Sequence, residues 1–373
     1  MRQAIHPSAK PHLAAVHNYE PGKPIEELER ELGIRHAIKL ASNENALGPS
    51  PKALRAIRTN LRRIHRYPDG GSFYLRQKLA KLLGVEPDWL IFGNGSDEIL
   101  VFAARTFLEK NDEVIIADPT FLIYEIASQV ENARIVKIPI RNFRYDLGAM
   151  KRALTPRTKL VFIANPDNPV GTFQTQSELE AFLNGVPPHV LVVLDEAYYE
   201  FACGEKNYPR SLGLVRRFPN LLVTRTFSKA YGLSGLRVGY GIAHPSVIHA
   251  LKKVREPFNV NLLAQVAACA ALDDRAHLAR TLRQTKQGRV FLETELECLG
   301  FRIVKTATNF VLADLRRPGR PVYEKLLRAG VIVRSMEAWG LANFIRITVG
   351  KRAENQRFIR ALKQIVMIKG EMK

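Results

Sequence analysis

The sequence predicts an α/β fold built on a mostly parallel central sheet. Short apolar runs alternate with helical stretches from about residue 75 to residue 260, which is the pattern of such a domain. Several runs, such as residues 191–194, are continuously apolar, as in strands buried on both faces. The chain has 373 residues, more than one hydrophobic core usually accommodates. We therefore expect a second, smaller α/β domain at the C-terminal side.

The first strand signal, residues 90–93, leads into a glycine-containing turn and a helix. The backbone N–H groups of Gly95, Ser96 and Asp97 could bind a phosphate group at the start of that helix. A single glycine loop is a weak signal, and Asp97 is also an ordinary residue in the first turn of a helix. This segment is therefore a candidate anion site that needs support from others.

Two further strand signals end in polar residues. Residues 160–164 lead into a turn in which Asn168 is held between prolines and could donate a hydrogen bond without adding charge. Residues 191–194 lead directly into Asp195, with Tyr198 three residues later. A central parallel strand delivers such an acid to the carboxyl edge of the sheet. The alternative for Asp195 is a simple cap of the following helix.

Lys229 follows the next strand signal, residues 221–224, among groups that suit a phosphorylated aldehyde. Thr226 and Ser228 precede it, and Arg237 follows eight residues later. Hydroxyls and a guanidinium group would hold the phosphate, while the amine could condense with the carbonyl as a Schiff base. Pyridoxal 5′-phosphate fits this pattern, and Asp195 would keep its pyridine nitrogen protonated. The alternative is that Lys229 and Arg237 are ordinary surface charges.

Taken together, these motifs resemble the fold-type I pyridoxal-phosphate-dependent transferases, in both order and spacing. Further segments are similar to those of histidinol-phosphate aminotransferases over nearly the whole chain: residues 19–28, 40–51, 66–70, 255–259, 333–334 and 344–350. The resemblance implies a large cofactor domain at residues 44–260. It implies a small domain made of residues 1–43, the N-terminal arm, and residues 261–373.

The resemblance also implies roles for individual residues. Lys229 would carry the cofactor and then transfer a proton at the substrate α-carbon, with Asp195 and Tyr198 as further catalytic groups. Tyr198 and Asn168 would contact the phenolic oxygen of the cofactor, and Phe121 would stack on its ring. The implied cofactor-binding set is Gly95, Ser96, Asp97, Phe121, Asn168, Asp195, Tyr198, Thr226, Ser228, Lys229, Arg237 and, from the neighbouring subunit of a homodimer, Tyr67.

Substrate recognition is implied by a second set of residues. Arg346 resembles the arginine that grips the carboxylate of glutamate and 2-oxoglutarate, and Arg334 with Tyr19 resembles a pair that binds the substrate phosphate. Asn43 belongs to the same implied set.

Three positions depart from the family pattern. Ala46 and Val170 replace a usual proline and a usual threonine, and Phe121 replaces a commoner tyrosine. None of the three supplies a reacting group. Phe121 keeps the aromatic face needed for stacking, although it lacks a hydroxyl that could contact the substrate.

Composition sets limits on other functions. The chain has 56 basic and 36 acidic side chains, a formal net charge of +20, yet its basic residues are dispersed without a nucleic-acid-binding motif. Attraction of small anions is the simpler interpretation of that charge. Three scattered cysteines predict neither a disulfide framework nor a metal site. The N-terminus lacks a secretory pattern and no apolar run would span a bilayer, so we expect a cytoplasmic protein.

The resemblance therefore implies a homodimeric aminotransferase of L-histidine biosynthesis. It would transfer an amino group between L-histidinol phosphate and 2-oxoglutarate, giving imidazole-acetol phosphate and L-glutamate. Two alternatives on the same scaffold are an aromatic amino acid aminotransferase and a threonine-phosphate decarboxylase. A cofactor-dependent regulator has little support, because no DNA-binding module accompanies the domain.

Overall fold

The computed structural model describes residues 8–367, so the first seven and last six residues of the predicted small domain lie outside the described range. Its helices are α1 (Ile25–Leu32), α2 (Pro51–Asn60), α3 (Phe73–Leu83), α4 (Ser96–Phe107), α5 (Leu122–Val130), α6 (Leu147–Arg152), α7 (Gln176–Leu183), α8 (Tyr199–Ala202), α9 (Ser211–Arg217), α10 (Pro245–Lys252), α11 (Leu262–Leu272), α12 (Arg275–Cys298), α13 (Gly319–Arg328) and α14 (Arg352–Met367). Its strands are β1 (Ile38–Lys39), β2 (Leu90–Gly93), β3 (Glu113–Asp118), β4 (Arg134–Pro139), β5 (Thr158–Ala164), β6 (Leu191–Asp195), β7 (Leu221–Thr226), β8 (Gly239–Ile242), β9 (Arg302–Val304), β10 (Phe310–Asp314), β11 (Val331–Ile332), β12 (Arg334–Ser335) and β13 (Phe344–Thr348).

The large sheet has seven strands in the order β2-β8-β7-β6-β5-β3-β4. All neighbouring pairs are parallel except the two that involve β8, which runs against both β2 and β7. Strands β5, β6 and β7 are almost wholly buried, as continuous apolar sequence requires. The predicted α/β fold with a mostly parallel sheet is confirmed.

This topology brings the predicted motifs to one edge. Strands β2, β3, β5, β6 and β7 all point the same way, so their carboxyl ends lie together. The register pairs Ala164, the last residue of β5, with Asp195, the last residue of β6, and Asp195 in turn with Thr224 of β7. Each motif named above therefore begins at the same sheet edge.

Local capping explains where several helices begin. Ser50 accepts a hydrogen bond from the Ala53 amide at 3.1 Å, and Pro51 occupies the first helical position of α2. Thr175 and Glu178 form a reciprocal capping box at the start of α7. These contacts fix the helices that follow the site-forming loops.

A smaller four-stranded antiparallel sheet, β12-β13-β10-β9, packs against α12 and α13, and α14 packs on these two helices within the same apolar core. A separate two-stranded parallel pair joins β1 to β11, and Leu40 continues it by donating to the Ile332 carbonyl at 2.7 Å. The N-terminal segment thus lies beside residues near the C-terminus.

Helix α11 packs on α2 and α3 and shares the apolar core of the large sheet. Its buried Ala264, Ala267, Ala268 and Ala271 belong to the same apolar cluster as the large-sheet strands, although α11 falls beyond the predicted boundary at residue 260. The division into residues 44–260 and residues 1–43 plus 261–373 stays a prediction.

Within residues 8–367, no helix is long and apolar enough to cross a bilayer, and no group of three or more His, Cys, Asp or Glu side chains is arranged to hold a metal ion. Cys203 and Cys298 are exposed, Cys269 is half-buried, and all three are free thiols.

Candidate active site

One cavity of about 480 Å³ lies between the carboxyl edge of the large sheet and the smaller sheet. It brings together all the predicted site residues except Gly95 and Tyr67. The residues that line it are Tyr19, Gly22, Ala41, Ser42, Asn43, Glu44, Ser96, Asp97, Phe121, Ile123, Tyr124, Ala164, Pro166, Asn168, Asp195, Ala197, Tyr198, Thr226, Ser228, Lys229, Ser234, Gly235, Arg237, Arg334 and Arg346.

The anion end of the cavity is built around Arg237. Its Nη2 donates to Asp97 Oδ1 at 2.8 Å and its Nη1 to the Ser234 carbonyl at 3.0 Å. Gly95 has a φ of 94°, and a Cβ at that position would overlap both the Arg237 guanidinium and the Asp97 carboxylate. Gly95 therefore lets this ion pair lie directly over the loop that precedes Ser96, where α4 begins.

Two buried hydroxyl-bearing residues face the same end. Thr226 Oγ1 accepts a hydrogen bond from the Ser228 backbone amide at 3.1 Å, which fixes the turn after β7. Both residues line the cavity with Ser96 and Arg237. Hydroxyls, helix N–H groups and a guanidinium are the donors that a phosphate needs.

The Lys229 amine lies at the floor of the cavity. Its Nζ donates to the Ser42 carbonyl at 3.1 Å and lies 5.9 Å from the centroid of the Tyr198 ring. Burial, aided by the nearby Arg346 charge, lowers the pKa of Lys229 to about 8. A larger fraction of the amine is therefore uncharged at neutral pH than in a solvated lysine.

Asp195 is 5% exposed and is held by two hydroxyl donors. Tyr124 Oη donates to Oδ2 and Thr224 Oγ1 donates to Oδ1, each at 2.9 Å. Burial raises the pKa of Asp195 to about 6, while these hydrogen bonds act in the opposite direction. The group remains a carboxylate at neutral pH, and it stabilises a cation that it faces more strongly than a solvated acid would.

Tyr198 links the cavity to the N-terminal segment. Asn43 Nδ2 donates to Tyr198 Oη at 2.8 Å, and Asn43 is fixed by Thr348, whose hydroxyl donates to its Oδ1 at 3.0 Å. Burial raises the pKa of Tyr198 to about 12, so the hydroxyl stays protonated and remains a donor.

Arg346 is 5% exposed and meets Asn168 across the cavity. Its Nη1 donates to Asn168 Oδ1 and its Nη2 donates to the Ala41 carbonyl at 3.0 Å. The Asn168 amide nitrogen therefore remains as the donor that can face a ligand. Among the described side chains, Arg346 Nε is one of the few buried polar atoms that have no hydrogen-bond partner.

Arg346 also takes part in none of the ion pairs over residues 8–367. Burial lowers the pKa of its guanidinium. A buried cation without an acid partner is costly, and an anionic ligand would relieve that cost.

Arg334 and Tyr19 lie at the outer wall of the cavity. Arg334 Nη2 donates to the Glu20 carbonyl at 2.7 Å, and Tyr19 is 44% exposed. Tyr67 lies elsewhere: it is 84% exposed and stacks on Phe258 with ring centroids 4.8 Å apart. Within one subunit, Tyr67 therefore takes no part in the cavity wall.

Sequence reasoning missed several supporting residues. Tyr124, which donates to Asp195, is fully buried and stacks on Phe162 at 4.8 Å. The only available signal for Tyr124 was its place three residues after Phe121, in the first turn of a helix.

Asp167 is a second supporting residue. It is 2% exposed and accepts from Tyr145 Oη at 2.6 Å and from the Val170 amide at 3.1 Å, and it so holds the turn that presents Asn168.

The site fits pyridoxal phosphate. The loop at Gly95 leaves the backbone open to a phosphate, the buried Asp195 faces the cavity, and the Lys229 amine lies in the same space. Phe121 lines the cavity and stands edge-on to Tyr124, with centroids 5.6 Å apart.

Comparison with known proteins agrees with this geometry. The model of the family described as "Aminotransferase class I and II" matches residues 35–362. Histidinol-phosphate aminotransferase of Moorella thermoacetica is 52% identical over 96% of this chain and 93% of its own length. Histidinol-phosphate aminotransferase 1 of Nitrosococcus oceani is 49% identical over 93% of this chain and 94% of its own.

A solved structure gives the same result. The histidinol-phosphate aminotransferase of Sinorhizobium meliloti, crystallised in complex with pyridoxal 5′-phosphate, superposes with a TM-score of 0.91 at 30% identity. The match covers 98% of this chain and 99% of that one. The chain therefore belongs to the class I and II aminotransferase family and, within it, to the histidinol-phosphate aminotransferases.

Proposed function

We propose that this chain transfers an amino group between L-histidinol phosphate and 2-oxoglutarate, with pyridoxal 5′-phosphate as cofactor. The products are imidazole-acetol phosphate and L-glutamate, and the reaction belongs to L-histidine biosynthesis. One observation carries the proposal. A single cavity holds the Lys229 amine, the buried Asp195 carboxylate and two arginines, Arg334 and Arg346, in a chain about half identical to relatives of that activity.

The cofactor would be held at both ends. Ser96, Thr226, Ser228 and Arg237 would bind its phosphate, and Gly95 would let the loop approach closely. Asp167, through the turn after β5, would hold Asn168 against the ring substituents, and Tyr198 and Phe121 complete this set. When bound, the cofactor supplies an aldehyde for amine exchange and a ring that withdraws electrons.

Lys229 is the residue that would move the proton. Its amine lies inside the cavity and has a lowered pKa, so it can accept a proton from the substrate α-carbon near neutral pH and return it. The Ser42 carbonyl holds the amine at 3.1 Å, which restricts the directions in which Nζ can point.

Asp195 would stabilise positive charge on the ring nitrogen. Two hydroxyl donors, Tyr124 and Thr224, fix both carboxylate oxygens and prevent rotation of the group. Because the carboxylate is buried, its interaction with a facing cation is only weakly screened by water.

The two arginines would sort the two substrates by their anionic groups. Arg346 has a buried, unpartnered Nε and could take the carboxylate of glutamate or 2-oxoglutarate in a bidentate contact. Arg334, with Tyr19, lies at the outer wall, where the longer histidinol phosphate would place its phosphate. Asn43 lines the same cavity and would act on the substrate through its hydrogen bond to Tyr198.

We further propose that the active enzyme is a homodimer in which Tyr67 reaches the neighbouring subunit's cofactor. Tyr67 and its partner Phe258 are exposed aromatic residues, as expected at a subunit contact. Mixing inactive Tyr67 and Lys229 variants should restore some active sites if chains exchange. No recovery despite demonstrated exchange would contradict a shared site.

Half-reactions with histidinol phosphate, phenylalanine and phosphothreonine test the substrate assignment. We expect histidinol phosphate to convert the enzyme fastest. Release of carbon dioxide from phosphothreonine without an accumulating keto acid would contradict amino transfer, and faster conversion by phenylalanine would favour an aromatic aminotransferase.

Arg334→Ala should weaken the reaction with histidinol phosphate far more than that with glutamate, whereas equal losses would place Arg334 outside phosphate recognition.

A further inference from the structure

Trp339 lies directly behind Arg334 without lining the cavity. The Cζ atom of Arg334 is 5.1 Å from the centroid of the Trp339 ring, and Trp339 itself is 6% exposed. A guanidinium group over an indole face is attracted by the negative face of the ring, and this attraction is stronger where water is excluded. The indole is therefore a platform for Arg334.

The platform is fixed from its far side. Trp339 Nε1 donates to the Thr120 carbonyl at 2.9 Å, and Thr120 is 5% exposed. Thr120 directly precedes Phe121, in the loop after β3 of the large sheet, whereas Trp339 follows β12 of the smaller sheet. One hydrogen bond therefore ties the indole to the segment that forms the inner cavity.

Arg334 has few other restraints. Its Nη2 donates to the Glu20 carbonyl, and it takes part in none of the ion pairs over residues 8–367. A long arginine side chain loses considerable rotamer freedom when it is immobilised by a ligand. Packing on Trp339 removes part of that loss in advance, while the remaining N–H groups are free for an anion.

We infer that Trp339 is a positioning residue: it orients Arg334 toward the phosphate of the substrate and so contributes to the preference for a phosphorylated amine. This inference depends on the proposed function, which assigns Arg334 to the substrate phosphate. Trp339 would have no effect on a substrate without a phosphate.

Histidinol phosphate and glutamate, the amino donors of the two directions of the reaction, provide the test. In the holoenzyme, Trp339→Leu removes the aromatic platform, and Trp339→Phe keeps an aromatic face but loses the donor to Thr120. We expect KM for histidinol phosphate to rise about tenfold in Trp339→Leu and about threefold in Trp339→Phe. KM for glutamate should change by less than about twofold, and kcat should stay near its original value.

Trp89 supplies a matched control, because the chain has two tryptophans. Trp89 is half-buried, stands edge-on to His244 at 5.8 Å and lies away from the cavity lining. Trp89→Leu should leave the ratio of the two KM values unchanged. Equal losses with histidinol phosphate and glutamate in the Trp339 variants would overturn the inference.

A second readout does not depend on turnover. In Trp89→Phe, Trp339 is the sole tryptophan, so its fluorescence reports on this platform. Adding inorganic phosphate to the holoenzyme should change the emission, and the additional substitution Arg334→Ala should abolish the change. A response that persists without Arg334, or no response, would overturn the inference. The response is also expected if histidinol phosphate proves not to be a substrate, which separates this inference from the proposed function.

Discussion

The inner and outer ends of the cavity are built in different ways. At the inner end, the polar side chains already satisfy one another: Asp195 accepts from Tyr124 and Thr224, and Arg237 pairs with Asp97. At the outer end, which comprises Arg346 together with Arg334 and Tyr19 of the outer wall, cationic groups keep unused donors, most clearly Arg346, whose buried Nε has no partner. The inner end is therefore preorganised for the cofactor, which stays bound, whereas the outer end has free donors for anionic substrates that bind and leave.

The two ends also differ in how the chain positions them. Inner residues come from the ends of adjacent parallel strands, whose spacing the sheet fixes. Outer residues come from the N-terminal segment and the smaller antiparallel sheet, which meet through contacts such as Arg334 to the Glu20 carbonyl. Substitutions at the inner end should therefore lower kcat, and those at the outer end should change KM for the substrates.

The largest effect is expected at Lys229. Lys229→Ala removes the amine that moves the proton, so kcat should fall by at least about 10³-fold with either substrate. Stopped-flow absorbance of the half-reaction measures this loss. Retention of more than a tenth of the activity would break the assignment of the inner end as the chemical centre.

Asp195→Asn should have the second largest effect. The amide keeps the shape of the side chain but removes the charge that faces the cofactor ring, so kcat should fall by about 10²-fold while KM changes little. Asp118→Asn is the matched control, because Asp118 is an exposed acid at the end of β3 and should tolerate the change. An equal change of kcat in the two variants would contradict a specific role for the buried Asp195 carboxylate.

The free energy of unfolding should reveal how far the Lys229 amine destabilises the folded chain. Because the folded pKa of Lys229 is lowered to about 8, protonation of Lys229 favours the unfolded chain, and the resulting penalty is present below pH 8. The penalty should disappear as the pH rises from about 8 toward 10.5, the ordinary value. In the cofactor-free protein at pH 7, Lys229→Met should therefore raise the free energy of unfolding by roughly 2 kcal/mol.

Urea unfolding at pH 7 and pH 9.5 measures this difference. The advantage of Lys229→Met should shrink at the higher pH, whereas exposed Lys110→Met should show no such trend. An advantage that grows with pH would mean that the Lys229 pKa is not lowered by folding.

The smallest effect is expected at Arg346, at the outer end. Arg346→Lys keeps the charge but loses the planar fork, so KM for 2-oxoglutarate should rise about tenfold. Histidinol phosphate has no carboxylate, so its KM should rise less. Arg302→Lys, at an exposed position of β9, serves as control. A loss confined to kcat would instead mean that Arg346 acts in the chemical step, like the residues at the inner end.

The sequence alone could predict more of the inner end of the cavity than of the outer end. The sheet and the places of Asn168, Asp195 and Lys229 could be predicted, because each residue lies within five residues of the end of an apolar run and parallel strands share an edge. Tyr124 and Trp339 could not be predicted, since their partners lie 71 and 219 residues away and no local pattern indicates such contacts. The outer arginines were found only through the family resemblance, because an isolated arginine in a strand carries no local signal.

The central claim is that the Lys229 amine carries the cofactor opposite the Asp195 carboxylate. Borohydride reduction of the purified holoenzyme, followed by peptide mass mapping, tests it most directly. We predict a loss of the visible absorption and a reduced pyridoxyl group on the peptide that contains Lys229, with no such mass on other lysine peptides. A pyridoxyl group on another lysine, or none on any peptide of a coloured and active enzyme, would contradict the account.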